Sequence, residues 1–305
     1  MSGLSIAASF AKNARSGLRR RVYTPAAVGE LVLITGASSG IGLSAAIECA
    51  ALGHKVVATM RDLGRREALE KAAKERKVKV DIERLDVTSP AEIITEKVRE
   101  LLLKYGPFFS LVNNAGIAIG GPFEEQTEED LRAQFETNVF GLMAVTRAIL
   151  PSMRAAGRGR IVNVSSTSGR VAMPCLSIYA STKHAVEGFS EGLRWEVEPF
   201  GVEVCIIAPG SFRTPIFFEN QKRGGRVSME GPYGQLNRRL ESLIQERAHR
   251  SPPPDEVGRT IARIVGDKAP PFRTIVGKDA LTLTALRGVI PDRLFGAGLR
   301  RVLGV

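Results

Sequence analysis

Tyr179 and Lys183 stand four residues apart in the stretch SSTSGRVAMPCLSIYASTKHAVEG, residues 165–188. On a helix that spacing puts both side chains on one face, a turn apart. A free phenol has a pKa of about 10 and is a poor base at neutral pH. A fixed ammonium nearby favours the phenolate, so Lys183 is expected to lower the Tyr179 pKa and fit it for general acid/base work on a hydroxyl or carbonyl group. Ser166 precedes Tyr179 by thirteen positions and follows the apolar-alternating run Ile161–Val164. From a strand end its hydroxyl can hydrogen-bond a substrate oxygen, and Ser165 is the neighbouring candidate. Taken alone, a Tyr–Lys pair at this spacing is more often a chance pairing on a surface helix. Its meaning depends on the elements that hold it.

Those elements alternate. Leu31–Ile34 is a continuous apolar run, as in a strand buried on both faces. Thr35 to Gly42, TGASSGIG, follows it and leads into a helix reaching about Leu52. Further strands are expected at 55–60, 78–86, 110–112, 161–165 and 202–208, and helices at 62–77, 90–105, 127–156 and 177–199. Thr127 and Asp130 have the spacing of a capping box, and Pro151 predicts a disturbance inside the long helix. The alternation argues an α/β chain: a doubly wound, Rossmann-like parallel sheet in a single domain, with helices on both faces. Beyond Pro209-Gly210 the pattern loosens. Residues 211–251 are polar and helical in character, Pro252 to Asp255 opens a helix, and Phe272–Val276 suits a last strand. Residues 279–305 carry two apolar stripes interleaved with arginines and divided by Pro291.

In TGASSGIG, Gly36, Gly40 and Gly42 supply a tight turn, close backbone approach and close helix–strand packing, and the helix N-terminus then faces a phosphate. Together with NNAG at 113–116, Asn138, Ser166, YASTK at 179–183 and PGSFRT at 209–214, this set resembles the short-chain dehydrogenase/reductase family, in its single-domain branch. The resemblance covers residues 30–215 strongly and the rest loosely. In wording, ATMRDL and YASTKHAVEGFSEGLRWE look nearest to the 17β-hydroxysteroid and retinol dehydrogenase group.

The resemblance implies roles. Tyr179 would be the general acid/base, and Lys183 would lower its pKa and hold the nicotinamide ribose. Ser166 would polarise the substrate oxygen, preferred to Ser165 for its spacing to the tyrosine, and Asn138 would position a water in a proton relay. Gly36, Ser38, Ser39, Gly40, Ile41 and Gly42 would form the phosphate loop. Asp86 and Val87 would meet the adenine, Asn113, Ala115 and Gly116 would support the cofactor, and Thr214, after Pro209 and Gly210, would hold the carboxamide. After the second strand, where NAD-preferring folds place an acid, the chain has Met60 and then Arg61. Arginine pairs with a 2′-phosphate that an acid would repel, so NADP(H) is expected over NAD(H). The adjacent Asp62 argues the other way.

Val171, Met173, Leu176, Phe212, Phe217 and Tyr233 are expected to wall an apolar pocket suited to a hydrophobic alcohol or ketone, steroid-, retinoid- or lipid-like. The expected activity is therefore alcohol/ketone oxidoreduction by hydride transfer. A non-catalytic dinucleotide sensor or membrane-surface scaffold on the same fold is the alternative. A homodimer or homotetramer is implied by the family alone.

The net charge of +11 sits at the ends: residues 1–30 carry +4 and residues 268–305 carry +5. A near-neutral middle speaks against nucleic acid. Two basic, partly apolar ends suit peripheral contact with an anionic membrane. The organisation expected is a basic extension over 1–29, a Rossmann-like domain over 30–278 with a substrate-loop region at 211–251, and an amphipathic helical tail over 279–305. The acid-free start also resembles an organellar transit peptide, so a cytoplasmic location, peripheral to a membrane or not, stands beside organellar targeting. Three scattered cysteines and three isolated histidines give neither a disulfide framework nor a metal site.

Overall fold

The computed structural model describes residues 29–218 and 222–303. The basic extension, apart from Gly29, lies outside the described residues. In chain order the elements are β1 (Leu31–Ile34), α1 (Gly40–Ala51), β2 (Lys55–Met60), α2 (Glu67–Arg76), β3 (Val80–Arg84), α3 (Ala91–Tyr105), β4 (Ser110–Asn113), the short β5 (Ile119–Gly120), α4 (Glu128–Phe135), α5 (Gly141–Ala156) and β6 (Gly159–Val164). There follow α6 (Ser177–Val197), β7 (Val202–Pro209), α7 (Pro215–Phe218), β8 (Lys222–Arg223), α8 (Gly234–Arg250), α9 (Asp255–Gly266), β9 (Arg273–Val276), α10 (Lys278–Val289) and α11 (Asp292–Leu303).

Seven strands make one parallel sheet in the order β3-β2-β1-β4-β6-β7-β9. Strand alternation splits the apolar run of β1 between two cores. Val32 and Ile34 face α1, α2 and α9 with Ala45, Leu69 and Ile261, while Leu33 faces α3, α5 and α6 with Ile94, Val145 and Leu193. This two-sided burial is why β1 has no polar face. The order of the strands places β1 and β4 side by side at the centre, where connections leave in opposite directions, and a crevice opens at their C-terminal ends.

Two features tie the helices to the sheet. Gly258 of α9 crosses α1 so closely that a Cβ there would lie 2.2 Å from Ser44 Oγ, and Ser44 Oγ donates to Asp255 Oδ1 at 3.4 Å. Arg160 of β6 is 2% exposed. Its Nη1 donates to the carbonyls of Ile264 and Val265 at 2.5 and 2.7 Å, and its Nε donates to Glu203 Oε2 at 2.9 Å. It thereby supplies donors to carbonyls at the end of α9, where the helix has none of its own to offer.

The segment 127–156 departs from expectation. The capping box forms, with Asp130 N donating to Thr127 Oγ1 at 3.2 Å and Thr127 N to Asp130 Oδ2 at 3.0 Å. The disturbance lies not at Pro151, which α5 accommodates, but at a π-helical turn, Glu136–Phe140, between α4 and α5. Such a turn inserts one residue into the helix and re-aims side chains locally; here it sets Asn138 against the segment after β4. The continuous helix Glu128–Ala156 is long and apolar enough by composition to cross a membrane, yet Val145, Ile149 and Met153 pack it onto the sheet.

Candidate active site

The crevice at the C-terminal strand ends is a cleft of about 780 Å³. The glycine loop forms one wall. Gly36 has φ +66°, and a Cβ on it would fall 2.6 Å from Ala115 Cα, so the loop after β1 and the loop after β4 touch backbone to backbone only because the residue is glycine. Thr35 fastens the contact: its Oγ1 accepts from Asn114 N and Ala115 N, each at 3.1 Å. Asn114 Nδ2 donates to the carbonyls of Thr35 and Gly36 at 3.0 and 2.9 Å. Ser39 precedes α1 and makes no side-chain cap, so the first amides of that helix are turned to the cleft without a capping side chain, the arrangement that accepts an anion.

Four groups meet deeper in. Tyr179 and Lys183 lie on α6 as their spacing predicts, and both are buried. The Ser166 side chain hydrogen-bonds Tyr179 and accepts from Ser168 N at 3.1 Å. Ser165 Oγ, by contrast, is buried with no hydrogen-bond partner among the described residues and faces Gly169. Lys183 Nζ donates to the Val164 carbonyl at 2.9 Å and stands 5.7 Å from the centre of the Tyr179 ring. Asn138 is 1% exposed. Its Nδ2 donates to the Ile117 carbonyl at 2.9 Å and to Thr182 Oγ1 at 3.0 Å, while its Oδ1 accepts from Ile117 N at 2.8 Å.

Burial works against the expected drop in the Tyr179 pKa. Burial pushes the phenol up to about 12, with the Ser166 hydrogen bond acting against it. Burial pulls Lys183 down to about 8, with Glu187 acting against it. Removing water disfavours phenolate and ammonium alike, and the lysine's nearest hydrogen-bond partner is a backbone carbonyl rather than the phenol.

Around this centre the cleft is lined by Gly36, Ser38, Ser39, Gly40 and Ile41, by Arg61, Asp86 and Val87, by Ala115 and Gly116, and by Pro209, Gly210 and Thr214, as the sequence led us to expect. Two expected cofactor residues stand behind it. Gly42 lies inside α1 against Asn114 and Gly36. The Asn113 side chain points into the sheet and donates to Thr146 Oγ1 and Asn163 Oδ1, each at 2.9 Å. Asn114, Arg65 and Thr88 line the cleft and were not anticipated. Arg65 follows Arg61 by four residues across a 3-10 turn, a spacing that would have revealed it. The doubt raised by Asp62 finds a local answer: its Oδ1 accepts from Gly64 N at 2.9 Å and caps that turn. Of the expected substrate wall, only Phe212 lines this cleft. Val171 is buried elsewhere, Met173 and Leu176 are half-buried, and Tyr233 donates to Glu124 Oε2 at 2.8 Å. The Phe217 side chain lies outside what is described.

Comparison with known proteins places this geometry. Residues 30–224 match the family described as short chain dehydrogenase. A 3-ketodihydrosphingosine reductase of Bacteroides thetaiotaomicron is 35% identical over 272 residues, covering 89% of this chain and 97% of the relative. Human retinol dehydrogenase 8 is 33% identical, covering 87% and 86%. The crystal structure of a short-chain dehydrogenase from Streptomyces avermitilis superposes with a TM-score of 0.72 at 34% identity, covering 91% and 98%. Cofactor-bound neighbours divide. An actinorhodin polyketide ketoreductase with NADPH has 29% identity and TM-score 0.68 (81% and 95% covered), and a Burkholderia phymatum relative with NAD has 26% and 0.73 (85% and 93%).

Proposed function

Because the chain belongs to the short-chain dehydrogenase family and is an oxidoreductase of that family, we propose that it interconverts a hydrophobic secondary alcohol and ketone, or an alcohol and aldehyde, with NADP(H). The observation that carries this reading is the Ser166–Tyr179 hydrogen bond formed beside a buried Lys183. A phenol held near pKa 12 stays protonated at neutral pH, which suits the donor of a proton to a carbonyl. The loss of one catalytic group would favour a non-catalytic sensor; Asn138, Ser166, Tyr179 and Lys183 are all present and gathered.

The residues fit a dinucleotide. Ser38 to Ile41 would hold the pyrophosphate at the start of α1, Arg61 and Arg65 a ribose 2′-phosphate, Asp86 and Val87 the adenine, and Thr214 the carboxamide. Bound there, NADPH would supply the hydride. The Ser166 hydroxyl fixes the substrate oxygen, Tyr179 gives its phenolic proton to that oxygen, and the Lys183 ammonium offsets the negative charge left on the phenol. Asn138 helps to order the relay that returns the proton. The two arginines support NADP(H) over NAD(H), although neighbours of both kinds exist.

A hydrophobic substrate agrees with relatives named for a sphingoid ketone and for retinol. We carry forward the division at residues 29, 278 and 211–251, a homodimeric or homotetrameric assembly, and a cytoplasmic location with peripheral membrane contact. Exposed Leu281, Leu286, Val289 and Leu294 on α10 and α11 support that contact. There Asp279 accepts from Ser211 N and Asp292 pairs with Arg287, at 2.9 and 2.7 Å, while Arg293, Arg300 and Arg301 are exposed.

The test is NADPH and NADH consumption against long-chain aliphatic ketones, retinal and steroid ketones, with oxidation of the matching alcohols. Absence of turnover on every hydrophobic carbonyl would sink the reading. Flotation with vesicles containing phosphatidylserine tests the membrane contact separately; equal recovery with neutral vesicles would remove it.

A further inference from the structure

Glu187 lies one turn beyond Lys183 on α6, is 5% exposed and does not line the cleft. Its Oε2 accepts from Arg273 Nε at 2.7 Å, reaching across to the edge strand β9. Its Oε1 is buried and has no hydrogen-bond partner among the described residues. A half-satisfied buried carboxylate is costly, so its position one turn from an equally buried lysine calls for a physical reason. Gly169 shows how tightly the layer is built: a Cβ there would lie 2.6 Å from Ser165 Oγ and 3.0 Å from both Glu187 Cγ and the Lys183 carbonyl. Lys183 and Glu187 are both buried, and buried charges a helical turn apart act on each other with less screening than exposed ones.

We propose that Glu187, anchored by Arg273, is a positioning residue whose buried carboxylate keeps Lys183 in its ammonium form at neutral pH. The proposal rests on the reading of Lys183 as part of the proton-transfer site. Its direction agrees with the balance at that lysine, where burial works against the charge and Glu187 for it. Among the described residues, the ionisable and charged groups shown against the pair are Tyr179 on α6 and Arg273 on β9. Arg194, further along α6, joins Arg273 over the Phe272 ring, at 4.8 and 5.2 Å. Arg273 orients the carboxylate without reaching the lysine's own hydrogen-bond partner, the Val164 carbonyl.

The experiment is a direct titration of the Lys183 side chain by NMR in lysine-labelled protein, its signal assigned by its loss in Lys183→Arg. In Glu187→Gln, which keeps the shape and can still accept from Arg273, the midpoint moves to lower pH by about 1 unit or more. Glu187→Asp retains most of the native midpoint. The double variant Glu187→Met with Arg273→Met replaces the ion pair with apolar groups of similar size and, because the opposing Arg273 charge goes too, gives a smaller downward shift. It carries the test if Glu187→Gln does not fold. The alkaline limb of carbonyl reduction moves down with the midpoint. An unchanged midpoint in either folded variant, including one whose turnover falls equally at all pH values, overturns the proposal. The titration needs no turnover, so a Tyr179→Phe enzyme that kept its activity would sink the catalytic reading and leave this measurement independent.

Discussion

Asn138 Nδ2 donates to Thr182 Oγ1 at 3.0 Å, and that hydroxyl donates in turn to the Tyr179 carbonyl at 2.7 Å. The π-helical turn is thus bonded through one buried hydroxyl to the helix turn that aims the phenol. Thr182→Val keeps the shape and removes both bonds. The expected outcome is a loss of about 1–3 kcal/mol in urea denaturation and a fall in kcat of roughly tenfold, since misplacement by about 1 Å is costly to catalysis. Native kcat in a folded Thr182→Val would show that the bond does not aim the tyrosine.

Tyr179→Phe removes the proposed proton donor while leaving a ring of the same shape. Turnover should fall by about 10²–10⁴, with the NADPH dissociation constant within about threefold of native because the hydroxyl is one contact among many. Stopped-flow reduction and fluorescence titration measure the two quantities.

The Lys183 midpoint of about 8, against an ordinary 10.5, has a stability consequence with a definite sign. Below pH 8 both folded and unfolded chains hold the proton, and the native state bears the full cost of a buried charge. Between pH 8 and 10.5 the unfolded chain holds more protons, so this cost declines as pH rises. The stability of Lys183→Met relative to native should therefore fall by up to about 3 kcal/mol between pH 7 and pH 10.5. Urea denaturation at both ends checks it; a gap independent of pH refutes the shifted lysine. For the reaction, the same midpoint predicts that carbonyl reduction declines above about pH 8 while Tyr179, near 12, still carries its proton.

Arg61→Ala should raise the NADPH dissociation constant by roughly tenfold or more, the worth of one charge-assisted pair of about 1.5–3 kcal/mol, and leave NADH within about twofold. Adding Arg65→Ala should widen the gap. Equal losses for both cofactors would remove the assignment of a 2′-phosphate site.

Arg160→Met leaves the Ile264 and Val265 carbonyls and Glu203 without their shared donor. Breaking a buried pair in this way costs about 3–5 kcal/mol. The midpoint in urea should fall while KM for the ketone stays unchanged, because Arg160 does not line the cleft.

What the sequence disclosed follows a physical divide. Residues that sit at strand ends and in the first turn of a helix, such as Gly36, Ser166 and Tyr179, are positioned by local geometry that residue type and spacing encode. The doubly wound sheet was legible for the same reason, in the switching period of apolar residues. Asn114 could have been found too. Along β4, Leu111 faces α5, so alternation sends Asn113 to the same side and Asn114 toward α1. The π-helical turn at 136–140 was not legible, because it depends on bonds from Asn138 to Ile117 and Thr182, residues distant in sequence. Nor was the substrate wall: Val171, Met173 and Leu176 lie in an irregular segment whose apolar side chains have no periodicity to orient them. The raised phenol pKa was missed because a charge pair was weighed without the desolvation of both partners.

The crossing of α9 over α1 at Gly258 and Ser44 bears on how a turnover ends. A helix packed so closely is held in place, and the start of α1 lines the cleft at the proposed phosphate site. On the proposed reading, the motion that frees a spent dinucleotide is then expected from another rim of the cleft, such as Phe212 to Ile216, whose Thr214 and Pro215 lie against Gly40. The exit rate would then be set by that rim rather than by α1. Stiffening the rim would slow steady-state cycling while sparing the first burst of chemistry.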